Sequence, residues 1–75
     1  MSFESFPEEE VTYYGEYVFI HHVPYDGSYR VYFNVGVQYF QVGLDHDERE
    51  AADFTAMMLV KALTNLLLRY GVEQP

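Results

Sequence analysis

The pattern of apolar and polar residues divides the chain into a β-rich first part and a helical second part. Three segments are dense in β-branched and aromatic residues, which is typical of strands: 11–22, 28–34 and 37–43. Gly15 interrupts the first of them and indicates a bulge or a bend. Pro24, Asp26 and Gly27 form a tight-turn sequence between the first two strands, and Gly36 follows the second. Short turns between successive strands predict an antiparallel meander.

A helix follows the strands. Asp45 with Glu48, and Asp47 with Glu50, have the spacing of capping boxes, so the helix is predicted to open within this acidic segment. It runs to about Tyr70, with Gly71 as its C-terminal cap. One helix face forms the predicted core stripe: Ala52, Ala56, Leu59, Val60, Leu63, Leu66, Leu67 and Tyr70.

The expected fold class is therefore α+β, a three-stranded antiparallel meander with one C-terminal helix packed on one face, in the order β-β-β-α. Residues 11–75 form the single domain. Residues 1–10 are acidic and show no sustained periodicity, so we expect a flexible N-terminal arm whose Phe3 and Phe6 tuck against the domain or a partner.

The sequence has more apolar surface than this fold can bury. The helix carries a second apolar stripe, and both faces of the predicted strands carry large apolar side chains. The surplus residues are Phe54, Met57, Met58 and Leu68 on the helix, and Tyr13, Tyr17, Phe19, Tyr32 and Tyr39 on the sheet. Surfaces of this kind usually mark protein contacts, either with a partner or between two copies in a dimer. The alternative is that tyrosine hydroxyls keep the sheet face hydrated and that methionines fill irregular gaps.

The charge of the chain indicates what kind of partner these surfaces would bind. Twelve acidic residues face four basic ones, for a net charge of −8. Binding DNA or RNA requires a basic surface, so we expect no direct nucleic-acid contact. Five acidic residues crowd the helix start and are predicted to engage a basic groove on a partner protein: Asp45, Asp47, Glu48, Glu50 and Asp53. The alternative is a hydrated face that only promotes solubility.

The sequence carries no recognisable catalytic or metal-binding motif. It has no cysteine, and adjacent His21 and His22 on a strand should point to opposite faces. His46 stands among capping acids, where solvation is the common state. We therefore expect no enzyme activity, no metal and no cofactor. No stretch reaches about 18 consecutive apolar residues and the N-terminus lacks a signal-peptide pattern, so a cytoplasmic location away from membranes is expected.

Two resemblances bear on function. The order of three strands and an Ala-rich helix beginning Glu48-Arg-Glu-Ala-Ala52 looks like the second half of a double-stranded-RNA-binding domain, over residues 28–68. That family holds phosphates with a lysine cluster at this helix start, whereas this segment is acidic, so the RNA-binding role is not carried over. In size, charge and aromatic content the chain resembles small acidic phage proteins that act against host defences, including anti-CRISPR proteins.

These features lead to two hypotheses. The first is a non-enzymatic inhibitor, acting as a nucleic-acid mimic, that occupies the basic nucleic-acid-binding surface of a host defence complex such as a CRISPR effector. On this hypothesis the protein acts in the cytoplasm of the host cell. The second is a structural homodimer whose aromatic sheet face or second helix face mediates self-association.

Overall fold

The computed structural model describes residues 6–69, which form a four-stranded antiparallel sheet and one long helix. The elements are a short 3-10 turn at Glu8–Glu10, strands β1 (Val11–Tyr13), β2 (Val18–His22), β3 (Tyr29–Val35) and β4 (Gln38–Gln41), and helix α1 (Arg49–Arg69). Strand order in the sheet follows chain order, so each strand pairs with its neighbour in sequence. The predicted α+β meander with a C-terminal helix is confirmed, but it contains four strands and not three.

The extra strand arises from the segment 11–22, which was predicted as one strand. It folds back on itself as a hairpin in which Val11 lies opposite His21 and Tyr13 opposite Phe19. The chain reverses through residues 14–17, where Gly15 adopts a φ of 83° that other residues rarely tolerate. The Tyr14 amide donates a hydrogen bond of 2.8 Å to the Val18 carbonyl and closes the turn. Gly15 therefore lies in the turn between two strands, and not at a bulge or bend within one strand as the sequence predicts.

The register of β2 against β3 assigns residues to the two sides of the sheet. Ile20 pairs with Val31, and Phe19 pairs with Tyr32. We call the side that carries Val18, Ile20 and Val31 the helix face, because these residues form the core with α1. The opposite side, which carries Phe19 and Tyr32, is the aromatic face.

The helix approaches the sheet through its smallest residues. Ala52 and Ala56 are fully buried against the helix face, and they are the buried residues of α1. Their methyl side chains let the helix backbone come close to β2 and β3. Leu59, Val60 and Leu63 continue this contact and are partly buried. These five members of the predicted core stripe are confirmed.

The end of α1 extends beyond this contact. Its 21 residues span about 31 Å at a rise of 1.5 Å per residue, whereas β3, the longest strand, spans about 23 Å. From Thr64 to Arg69 every residue is exposed. The prediction that Leu66 and Leu67 belong to the core is wrong, because both side chains are exposed and Leu67 lines an open groove beside β3. Tyr70 and the predicted cap Gly71 lie outside the described residues.

The start of α1 also differs from the prediction. The helix begins at Arg49, so Asp45, Asp47 and Glu48 precede it and only Glu50 lies in its first turn. The Glu48 carbonyl accepts the Ala52 amide at 3.3 Å, which is the first helical hydrogen bond. The predicted capping role of Asp45 is wrong, since its side chain is engaged elsewhere.

Candidate interaction surface

The aromatic face was predicted to be exposed, and the structure corrects this at its centre. Phe19 and Tyr32 expose only 1% and 8% of their surface to solvent. Their rings stack with centroids 5.1 Å apart, and Tyr39 meets Tyr32 edge to face at 5.2 Å. Tyr13 lies at the rim of this cluster and stays exposed. The face packs largely on itself because cross-strand aromatic pairs bury one another.

The segment just before β1 contributes to this cover. Phe6 stacks on the His21 ring with centroids 4.0 Å apart and lies 5.7 Å from Tyr32 and 5.4 Å from Tyr39. Glu10 pairs with His21 at 3.0 Å and fixes the segment from its other end. Part of the expected arm, residues 6–10, thus packs on the domain, while residues 1–5 lie outside the described residues.

Tyr17 does not join the aromatic face, contrary to the prediction. It follows the hairpin turn and lines a groove on the other side of the sheet, between α1 and the ends of the strands. The groove has a volume of about 200 Å³ and is almost entirely apolar. Its lining residues are Tyr17, Phe33, Val35, Leu63 and Leu67. Sequence reasoning missed partly buried Phe33 and exposed Val35 as groove residues, because their surroundings depend on where the helix crosses the sheet.

The acidic residues near the helix start divide into two groups. Asp45 forms an ion pair with Arg30 at 3.3 Å and accepts a hydrogen bond from the Gln41 amide nitrogen at 2.7 Å. Asp53 accepts a hydrogen bond from the Tyr14 hydroxyl and lies 3.8 Å from Arg49. These two carboxylates fasten loop and helix to the sheet, and their predicted role in binding a partner stays a prediction.

Burial raises the pKa of the Tyr14 hydroxyl above its usual value, and the hydrogen bond to the Asp53 carboxylate raises it further. The neutral phenol is the form that can donate this bond. Tyr14 therefore fastens the β1–β2 hairpin to the first turns of α1 while its proton is retained.

The other three acidic residues face solvent. Asp47, Glu48 and Glu50 are exposed, and no side chain among residues 6–69 pairs with them. They lie together at one end of α1, where negative charge is favoured by the helix dipole. These three carboxylates are exposed, and their predicted role in binding a partner stays a prediction.

The outer face of α1, which points away from the sheet, is apolar as predicted. Phe54 and Leu68 keep 67% and 69% of their surface exposed, and Met57 and Met58 are about half exposed. Leu66 and Leu67 add further exposed apolar surface near the end of α1. The predicted exposure of these residues is confirmed. They lie close together on one helix, whereas ordinary exposed apolar residues are scattered singly over a protein surface.

By length and composition alone, α1 is the one helix among the described residues that qualifies as a membrane span. Its mean hydropathy reaches 1.4 over 18 residues, of which 11% are buried in the fold. Five charged residues lie in α1, and two of them, Asp53 and Lys61, are away from its ends. A charge at mid-membrane is unfavourable by about 2.5–3.5 kcal/mol or more, and Ala52 and Ala56 are already packed on the sheet.

Within residues 6–69, no three side chains of the kinds that bind metals come together. His21 lies on the aromatic face against Phe6, while its neighbour His22 stacks on Tyr29 with centroids 4.4 Å apart. His46 is held by backbone hydrogen bonds to Tyr29. The three histidines thus occupy three separate environments.

Comparison of the chain with protein-family models, with curated proteins and with solved structures gives no match.

Proposed function

We propose that this protein is a non-enzymatic protein–protein interaction module whose main contact element is α1. One observation carries the proposal: the apolar side chains on the outer face and at the end of α1 are exposed although the helix already has a sheet to pack on. Apolar surface that a fold leaves open in this amount is typical of a binding site for another protein.

The chemistry of the partner follows from charge. Asp47 and Glu48 are exposed and stand just before α1, on a chain with a net charge of −8. A basic groove complements this arrangement, because opposite charges steer the encounter and apolar anchors then hold the complex. We infer an inhibitor that occupies the nucleic-acid-binding groove of a host defence complex, such as a CRISPR effector.

The direct test is competition with DNA for such a groove. RNA-guided effector complexes hold their heteroduplex in a positively charged channel. A mobility-shift assay would measure target-DNA binding by a panel of purified CRISPR effectors at increasing concentrations of the protein. We expect the wild-type protein to reduce DNA binding by at least one effector, and the effect to weaken as salt rises.

A pair of charge-matched variants localises the effect. The double substitution Asp47→Lys and Glu48→Lys should weaken inhibition about tenfold or more, since it reverses two exposed charges just before α1. The control, Glu8→Lys with Glu9→Lys, changes the net charge equally at two exposed residues elsewhere. Equal losses of inhibition in both variants would mean that only the net charge of the protein matters, and not the position of Asp47 and Glu48. Absence of inhibition across the panel would overturn the proposed partner.

A further inference from the structure

We propose that the outer face of α1 binds the same face of a second copy of this chain, with the two helices antiparallel. The contact consists of Phe54, Met57 and Met58, and is closed at both ends by an ion pair between Glu50 of one copy and Lys61 of the other. We infer a second copy as the partner because the charged residues at the two ends of this face complement each other.

The spacing of the residues fits a helix pair. Glu50, Phe54, Met57 and Lys61 follow one another at intervals of four, three and four residues, which is the a/d spacing of a heptad seam. They border one shallow depression on α1, which Asp53 and Met58 complete. An apolar centre with a charged residue at each end is therefore built into about three turns of one helix.

The charges specify the orientation. Glu50 and Lys61 are separated by about 16 Å along the helix, at 1.5 Å per residue, and cannot pair within one chain. A two-fold axis between residues 55 and 56 places Phe54 opposite Met57 and Glu50 opposite Lys61. A parallel pair would instead bring glutamate to glutamate and lysine to lysine, which is repulsive.

The surroundings leave room for this pairing. The depression lies on the side of α1 opposite Ala52 and Ala56, so the sheets of both copies point away from the contact. No ion-pair partner of Glu50 or Lys61 occurs within the part of the chain that the structure describes. The contact is short, and interfaces below about 1,200 Å² are typical of weak, reversible association.

The test is a charge-swap series followed by sedimentation equilibrium over about 1–100 µM, the range of a weak dimer. The wild-type protein should show a monomer–dimer equilibrium. Glu50→Lys and Lys61→Glu should each raise the dissociation constant about tenfold or more, since each turns two attractive contacts into repulsive ones. The double variant E50K/K61E should regain the wild-type value.

Mixing the single variants gives a second, independent readout. An equimolar mixture of E50K and K61E should form a heterodimer in native mass spectrometry, because only the mixed pair places opposite charges together. The control Glu16→Lys alters the charge of an exposed hairpin residue and should leave the equilibrium unchanged. Circular dichroism would verify that every variant is folded.

A wild-type protein that remains monomeric at about 100 µM would overturn the inference, given that weak interfaces associate in this range. So would a double variant as weak as the singles, and so would a monomer that co-sediments with phosphatidylcholine vesicles through α1. The dimer and the proposed partner complex both use the outer face of α1, so one chain can form only one of the two contacts at a time. The series leaves Asp47 and Glu48 intact, so loss of self-association with inhibition retained would separate this inference from the proposed function.

Discussion

Phe6→Ala tests whether the segment before β1 is part of the fold. Phe6 is half-buried, stacks on His21 at 4.0 Å, and meets Tyr32 and Tyr39 at 5.7 and 5.4 Å. Replacing a fully buried phenylalanine by alanine lowers the free energy of unfolding by about 3–5 kcal/mol. Half of that burial, with the stacking contacts included, gives an expected loss of about 2 kcal/mol.

Urea unfolding followed by far-ultraviolet circular dichroism measures this loss at one fixed protein concentration. In a domain of this size a loss of about 2 kcal/mol lowers the melting temperature by about 8–16 °C. Tyr25→Ala is the matched control, because Tyr25 is an aromatic residue that lies exposed in the β2–β3 turn. Its effect should stay within about 0.5 kcal/mol.

The reasoning would be refuted if Phe6→Ala were as stable as the control. That result would mean that residues 6–10 lie against the aromatic face without stabilising it. The free energy of unfolding could also fall by less than about 2 kcal/mol while its slope with urea concentration stays unchanged. That result would mean that the aromatic rings of the sheet, and not Phe6, provide most of the stability of this face.

Three further predictions concern the core, a turn and the hairpin. Ala56→Leu should destabilise by about 1–3 kcal/mol through overpacking against the helix face, whereas exposed Ala62→Leu should be nearly neutral in thermal unfolding. Gly27→Ala should cost about 1–2 kcal/mol in the same assay, because Gly27 has a φ of 73° that disfavours a side chain. Tyr14→Phe should reduce the loss of stability at alkaline pH. The pKa of Tyr14 is raised by folding, so its contribution is complete below about pH 10, the usual tyrosine value, and is lost as the pH rises through the folded-state value.

Each of these has a contrary outcome. Equal effects of the two leucine substitutions would mean that the helix does not contact the sheet through Ala56. A neutral Gly27→Ala would show that the turn relaxes to another conformation. If Tyr14→Phe and the wild-type protein unfolded identically at alkaline pH, the Tyr14–Asp53 hydrogen bond would make no contribution to stability.

The sequence predicted what depends on local pattern. The position of α1, the turns at Gly27 and Gly36, and the burial of Ala52 and Ala56 all follow from periodicity and turn chemistry. The length of the segment 11–22 also bears on the number of strands. A single strand over 11–22 would exceed the usual range of about 3–10 residues, which favours a break at Gly15.

What the sequence could not predict depends on contacts between distant residues. Phe6 reaches Tyr32 and Tyr39 only after the whole meander has formed. Asp45 has capping-box spacing, yet it pairs with Arg30 because the sheet brings that arginine within 3.3 Å. Local spacing offers Asp45 several roles, and the tertiary arrangement selects among them.

The order of the elements has a consequence for synthesis. All four strands precede α1, and each strand pairs with the one made just before it, so the sheet can form on a growing chain from contacts that are mostly local. Its helix face, with Val18, Ile20 and Val31, then waits uncovered until α1 emerges. The nascent protein therefore passes through a state that displays an apolar sheet, and this is the stage at which we expect it to depend most on chaperones.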